Sequence, residues 1–158
     1  MRKLLKFSFA LLLFIFSCFA CAQAEEELAV NFRLKDTEGN EAVLGEYLYS
    51  RPVILLFWTT WCPFCARELR ALNNLSGELS EKGFKIFAID VGESASKVRR
   101  FLSGYSLSLD VLLDQDSRVA VSYGVMGVPT FIVINPYGEI VFAGNYFDPE
   151  KFCAEAFE

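Results

Sequence analysis

The hydrophobic positions follow different rhythms along the chain, and each rhythm predicts a different element. Residues 52–58, PVILLFW, form a short continuous apolar run, and residues 84–91 form a second. Runs of this length, rich in β-branched and aromatic residues, predict strands buried on both faces. Between them Leu69, Leu72, Leu75 and Leu79 recur at helical spacing, which predicts a helix over 63–81, and Gly83 is placed to end it. Residues 94–102 read as an amphipathic helix with Lys97, Arg99 and Arg100 on the wet side. Short strands are expected at 110–113 and 130–134, with a short helix at 116–123. Asn135-Pro136-Tyr137-Gly138 is a turn, 139–143 its hairpin partner, and 148–156 a last helix. Upstream, residues 25–41 read as an extended lead-in turning at Thr37-Glu38-Gly39-Asn40, and 44–48 as a short helical turn. Strands alternating with helices, then a late hairpin, predict an α/β fold: a mixed central sheet flanked by helices.

One further run does not belong to this pattern. Residues 7–20, FSFALLLFIFSCFA, are apolar throughout and follow the basic Arg2, Lys3 and Lys6. Ala22-Gln23-Ala24 then offers small residues where a signal peptidase would cut. Two other readings fit residues 1–24. Ile15-Phe16-Ser17-Cys18 and Cys18-Phe19-Ala20-Cys21 resemble lipoprotein cleavage boxes, which would leave a lipid-tethered cysteine, or the run stays as an anchor. The run is short of the about 20 residues a spanning helix needs. Each reading places the remainder, residues 25–158, outside the cytoplasm as one domain, where disulfides persist.

Removing this segment changes the composition. The chain of 158 residues is 53% hydrophobic, but the excess is local, and the rest has the ordinary globular share. Three of the 15 basic residues and none of the 20 acids precede residue 25, so the net charge of −5 becomes −8 on the domain. Such an acidic domain is a poor partner for a phosphate backbone, which argues against nucleic acid. The chain has no histidine. Ser-His-Asp hydrolysis, His-ligated zinc and His-held haem are thereby excluded.

The candidate chemistry is Trp61-Cys62-Pro63-Phe64-Cys65, where a buried strand ends and a helix begins. Free amide groups and the helix dipole at that junction favour a Cys62 thiolate. Pro63 suits the first helical turn, where its missing N–H costs nothing. Two intervening residues put both sulfurs on one turn, so Cys62, at the exposed tip, can attack a partner disulfide and Cys65, one turn inward, can resolve the mixed disulfide. A zinc half-site is the competing reading, since Cys18 and Cys21 form a second C-x-x-C, and an inert structural disulfide is another. Cys153, on the last helix, reads as a buried thiol, with a regulatory or intermolecular disulfide as its alternative.

WCPFC after PVILLFW, followed by Gly127-Val128-Pro129-Thr130 before a strand, resembles the thioredoxin fold. Phe57-Trp58-Thr59-Thr60-Trp61-Cys62, Glu68 three residues after Cys65, and Val91-Gly92-Glu93-Ser94 resemble the TlpA/ResA-like branch of exported thiol-disulfide oxidoreductases. The resemblance covers residues 28–157, and residues 94–123 resemble the βα insertion of that branch. It implies a redox-active Cys62–Cys65 disulfide, no organic cofactor and no metal. It implies a cis Pro129 beside the disulfide, with Val128 offering its backbone to an extended substrate and Trp61, Pro63 and Phe64 framing the sulfurs. Trp58 is then core, and Trp61 shields the sulfurs with one side toward the partner. Thioredoxins place a buried Asp on the strand beneath the disulfide, where this chain has Leu56, so Glu68 is expected to take the Cys65 proton. The alternative is a solvated Glu68 that favours the helix dipole. The implied partners are cysteine-bearing exported proteins, apocytochromes among them, and an upstream membrane electron donor. The branch points to a reductase, although proline directly after the first cysteine also occurs in exported oxidases.

Two other functions compete. Peroxiredoxins share the overall fold and place a Thr three residues before the reactive Cys, as Thr59 stands here, but their Pro four residues earlier is Leu55. Copper-delivery modules of this fold use C-x-x-x-C and a distant His, whereas this spacing is shorter by one and His is absent, though soft thiolates can hold Cu(I).

Overall fold

The computed structural model describes residues 27–146 and 148–156, so residues 1–24, expected to be an export signal or tether, lie outside the described residues. Seven strands form one sheet: β1 (Arg33–Asp36), β2 (Glu41–Val43), β3 (Val53–Trp58), β4 (Lys85–Val91), β5 (Asp110–Asp114), β6 (Thr130–Ile134) and β7 (Ile140–Gly144). The helices are α1 (Pro63–Glu81), α2 (Ala95–Leu102), α3 (Arg118–Ser122) and α4 (Pro149–Glu155), with a 3-10 turn at Leu44–Glu46. The strand order is β2-β1-β5-β4-β3-β6-β7. The centre, β5-β4-β3, is parallel, and β6, β7, β1 and β2 join antiparallel. This is the mixed α/β sheet expected, and residues 94–123 supply α2, β5 and α3.

All six residues of β3 are buried, which is why its run is continuous rather than alternating. Ile54, Leu56 and Trp58 face one core together with Cys62, Cys65, Leu69 and Leu72 of the helix side. Val53, Leu55 and Phe57 face the second core with Phe32, Tyr123 and Ala120. Helix α1 buries Cys65, Leu69, Leu72 and Leu79, a stripe at the helical period, while Leu75 sits at its edge. Gly83 adopts φ +91°, a left-handed conformation that ends the helix without a Cβ penalty.

Two departures from the sequence reading concern the edges. Residues 41–43, placed in the lead-in and the stretch after it, pair with β1 as the edge strand β2, Arg33 standing opposite Val43. Cys153 is half-buried rather than buried, its sulfur lying 3.7 Å from the charged, solvent-facing Lys82 ammonium at the far end of α1.

Candidate active site

Strand β3 delivers the chain to the sheet's end, and α1 starts five residues later. Cys62 is the residue that caps α1: its backbone is extended, its sulfur accepts the Cys65 amide at 3.1 Å, and Pro63 takes the first helical position. The sequence therefore places both the sulfur and the free amides of a 19-residue helix at one point. Cys62 and Cys65 are joined as a disulfide.

The Cys62 sulfur was expected to be open, yet the residue is only 5% exposed, and Cys65 is fully buried. The cover over Cys62 includes the loop before β6. The Val128–Pro129 bond is cis, and the Val128 carbonyl oxygen lies 3.8 Å from Cys62 Sγ. That loop is itself tied down, Thr130 Oγ1 donating to the Gly127 carbonyl at 2.7 Å and Asn145 Nδ2 to the Pro129 carbonyl. Trp61, expected to shield the sulfurs with one side toward the partner, is 67% exposed. Phe64 is 62% and Met126 98% exposed, so apolar side chains stand open both at the cysteine motif and on the loop that carries Val128. Met126 was not anticipated; its position two residues before Val128 was the available signal. Trp58 is fully buried, as expected for core.

Glu68 lies on α1 three residues after Cys65. Its side chain is 13% exposed, and its carboxylate pairs with Arg67 at 3.1 Å, on the first turns above the disulfide. Leu56 is fully buried beneath. The carboxyl groups that sequence reasoning missed lie on the next strand and just beyond it. Asp90, at the end of β4, is fully buried, and Glu93 is nearly so. Glu93 accepts the Thr60 amide at 2.6 Å and the Thr60 hydroxyl at 2.9 Å and forms an ion pair with Lys97. Burial, followed by the neighbouring Glu93, pushes the Asp90 carboxyl up to about 8. Burial acts the same way on Glu93, but the Lys97 and Thr60 donors outweigh it and hold that carboxyl below its ordinary range. An acid inside an otherwise apolar strand was the readable signal for Asp90. Thr59, the residue a peroxidase would use, keeps its hydroxyl buried and without a hydrogen-bond partner.

The arrangement can carry out thiol-disulfide exchange: a covered sulfur pair at a helix start, a backbone carbonyl beside the outer sulfur, and open apolar side chains for a polypeptide to meet. Comparison with known proteins agrees. Residues 25–143 match the AhpC/TSA family. The chain is 43% identical over 115 residues to the thiol-disulfide oxidoreductase ResA of Halalkalibacterium halodurans, a match covering 73% of this chain and 65% of that protein. Against ResA of Geobacillus thermodenitrificans it is 34% identical over 119 residues, covering 75% and 68%. The fold superposes on the exposed lipoprotein thioredoxin Etrx1 of Streptococcus pneumoniae with a TM-score of 0.69 at 22% identity, covering 80% of this chain and 96% of that one. The chain thus belongs to the AhpC/TSA family and to its ResA-like thiol-disulfide oxidoreductases.

Proposed function

We propose that the chain is an exported thiol-disulfide oxidoreductase that reduces disulfides of cysteine-bearing proteins, apocytochromes before haem attachment among them. The observation that carries this reading is the Cys62–Cys65 disulfide at the N-terminus of α1, with the Val128 carbonyl 3.8 Å from Cys62 Sγ. An extended substrate can pair with that backbone as an added strand while Trp61, Pro63, Phe64 and Met126 meet its side chains. The names of the ResA relatives support the activity, and the exposed lipoprotein among the similar structures supports export with a membrane tether. Among the described residues no helix is long and apolar enough to cross a membrane.

In the reduced protein the Cys62 thiolate attacks a substrate sulfur. A mixed disulfide forms, and the other substrate sulfur leaves as a thiolate that takes a proton. Glu68 accepts the Cys65 proton, Cys65 attacks Cys62 Sγ, and the second substrate sulfur departs. The protein ends oxidised by two electrons, with Cys62 and Cys65 joined. A membrane dithiol donor restores the reduced form, and the disulfide itself is the redox group.

The test is the equilibrium of the Cys62–Cys65 pair with a glutathione buffer. A potential near roughly −270 mV, that of thioredoxin, supports a reductase, and one near about −120 mV makes the protein an oxidant instead. Consumption of hydrogen peroxide at rates matching disulfide exchange would favour peroxidase chemistry, against which the unpartnered Thr59 hydroxyl argues.

A further inference from the structure

Among the described residues, the buried side-chain atoms without a hydrogen-bond partner are Trp58 Nε1, Thr59 Oγ1 and both carboxyl oxygens of Asp90. They are not scattered. Trp58 and Asp90 are register partners at the ends of β3 and β4, and Thr59 is the next residue. Ile86 and Ala88 face the core that holds both cysteines, so strand alternation puts Asp90 on that same face, beneath the redox loop. Buried polar atoms are ordinarily satisfied, and a cluster of exceptions at a reactive centre calls for an explanation.

The charge on Asp90 supplies one. A buried carboxylate without donors is costly, whereas the neutral acid carries an O–H of its own. Facing it is the Glu93 carboxylate, brought back over the strand end by Gly92 at φ +77°. Glu93 in turn accepts both polar groups of Thr60, two residues before Cys62.

We infer that Asp90 and Glu93 form a one-proton latch on the redox loop: neutral Asp90 turns its O–H toward Glu93 without repelling it, Glu93 holds Thr60, and Thr60 sets the approach of Trp61 and Cys62. Both are positioning residues, acting through Thr60 without touching sulfur. The direction of the Asp90 displacement agrees, since the latch is closed at neutral pH and loses its proton in mild alkali. Two adjacent anions then repel, and Glu93 loosens from Thr60. The charged groups around the pair are few. Lys97 reaches Glu93 from α2. On α1 the charges nearest the disulfide, Arg67 and Glu68, pair with each other. The register neighbours of Asp90 on β3 and β5, Trp58 and Leu113, do not titrate. The two cysteine thiols join this set only when reduced.

The effect on exchange rests on the activity proposed above, whereas the latch does not. The oxidised full chain, in which neither Cys62 nor Cys65 titrates, is labelled with 13C at threonine methyls and titrated from pH 6 to 10. The Thr60 methyl signal is expected to move in one step centred near pH 8, and Asp90→Asn, which keeps a donor to Glu93 but cannot ionise, is expected to abolish the step. A flat Thr60 signal in the wild type overturns the latch, as does a step that survives in Asp90→Asn. The rate of reduction by dithiothreitol, corrected for the reagent's own thiolate, should change at least threefold across the same step in the wild type and lose that change in Asp90→Asn. A rate that ignores the step overturns the positioning role. No exchange with any disulfide protein, beside an intact methyl step, would overturn the proposed activity and leave the latch standing.

Discussion

Replacing Asp90 by Asn should make the protein more stable, and increasingly so as pH rises. Asp90 is fully buried, neither of its oxygens makes a hydrogen bond of ordinary geometry, and it faces the Glu93 carboxylate. Its carboxyl is displaced from 3.8 to about 8, with burial the largest cause. Between those values the folded protein holds a proton that the unfolded chain has released. Stability therefore falls as pH rises through this window, by about 1.4 kcal/mol per pH unit. The contribution is fully present below the unfolded value and gone above the folded one. Asn cannot ionise, so the variant lacks this slope. Glu93 is present in both proteins, and its opposite contribution largely cancels. From pH 5 to pH 7 the stability difference should move by about 3 kcal/mol in favour of Asp90→Asn. With a urea slope of about 2 kcal/mol/M, the relative midpoint should move by about 1.5 M. The assay is urea unfolding of the oxidised proteins at pH 5, 6, 7 and 8. A difference that stays constant across the series would show that Asp90 is ionised in the folded state and that its burial has been misjudged.

The remaining predictions are simpler. Cys62→Ser should abolish disulfide exchange while Cys65→Ser accumulates mixed disulfides visible on non-reducing gels; preferential alkylation of Cys65 in the reduced wild type would reverse the two roles. Glu68→Gln keeps the shape of the side chain and should slow resolution of those mixed disulfides about tenfold or more, within the range of general-base effects, and a rate profile matching wild type from pH 5 to 9 would reduce Glu68 to a helix-end charge. Leu69→Ala, at a fully buried position of α1, should cost about 2–5 kcal/mol in thermal or urea unfolding, and a loss under 1 kcal/mol would mean that α1 does not anchor the site to the core.

What could be read from the sequence depended on how local the cause was. Strand β3 was legible because burial on both faces removes every polar residue from the run. Helix α1 and its cap were legible because the leucine period and Cys62-Pro63 lie within a few residues of each other. Edge strand β2 carries no such mark: three residues, partly exposed, stabilised by pairing with β1. Burial of Cys62 was misread because its cover includes a loop 66 residues further on. The Glu93 clamp on Thr60 spans 33 residues and could not be read from spacing at all. Glu93 itself lay within a quoted motif, but only the fold shows what it holds.

The strand order has a consequence for what happens after the disulfide opens. β3 lies between β4 and β6, so the short loop that follows it is gripped from both neighbours: Glu93, just beyond β4, holds Thr60, and Val128, just before β6, sits against Cys62. Neither grip involves the sulfur–sulfur bond. When that bond is cleaved, the loop keeps both anchors, and Cys65 remains fixed in the first turn of α1. The two thiols therefore face each other at the high effective molarity of a preorganised intramolecular reaction, with little chain entropy left to lose on reclosing. A substrate captured on Cys62 meets its release group already in place, so captured intermediates should be short-lived, and turnover passes to the step that brings in new electrons.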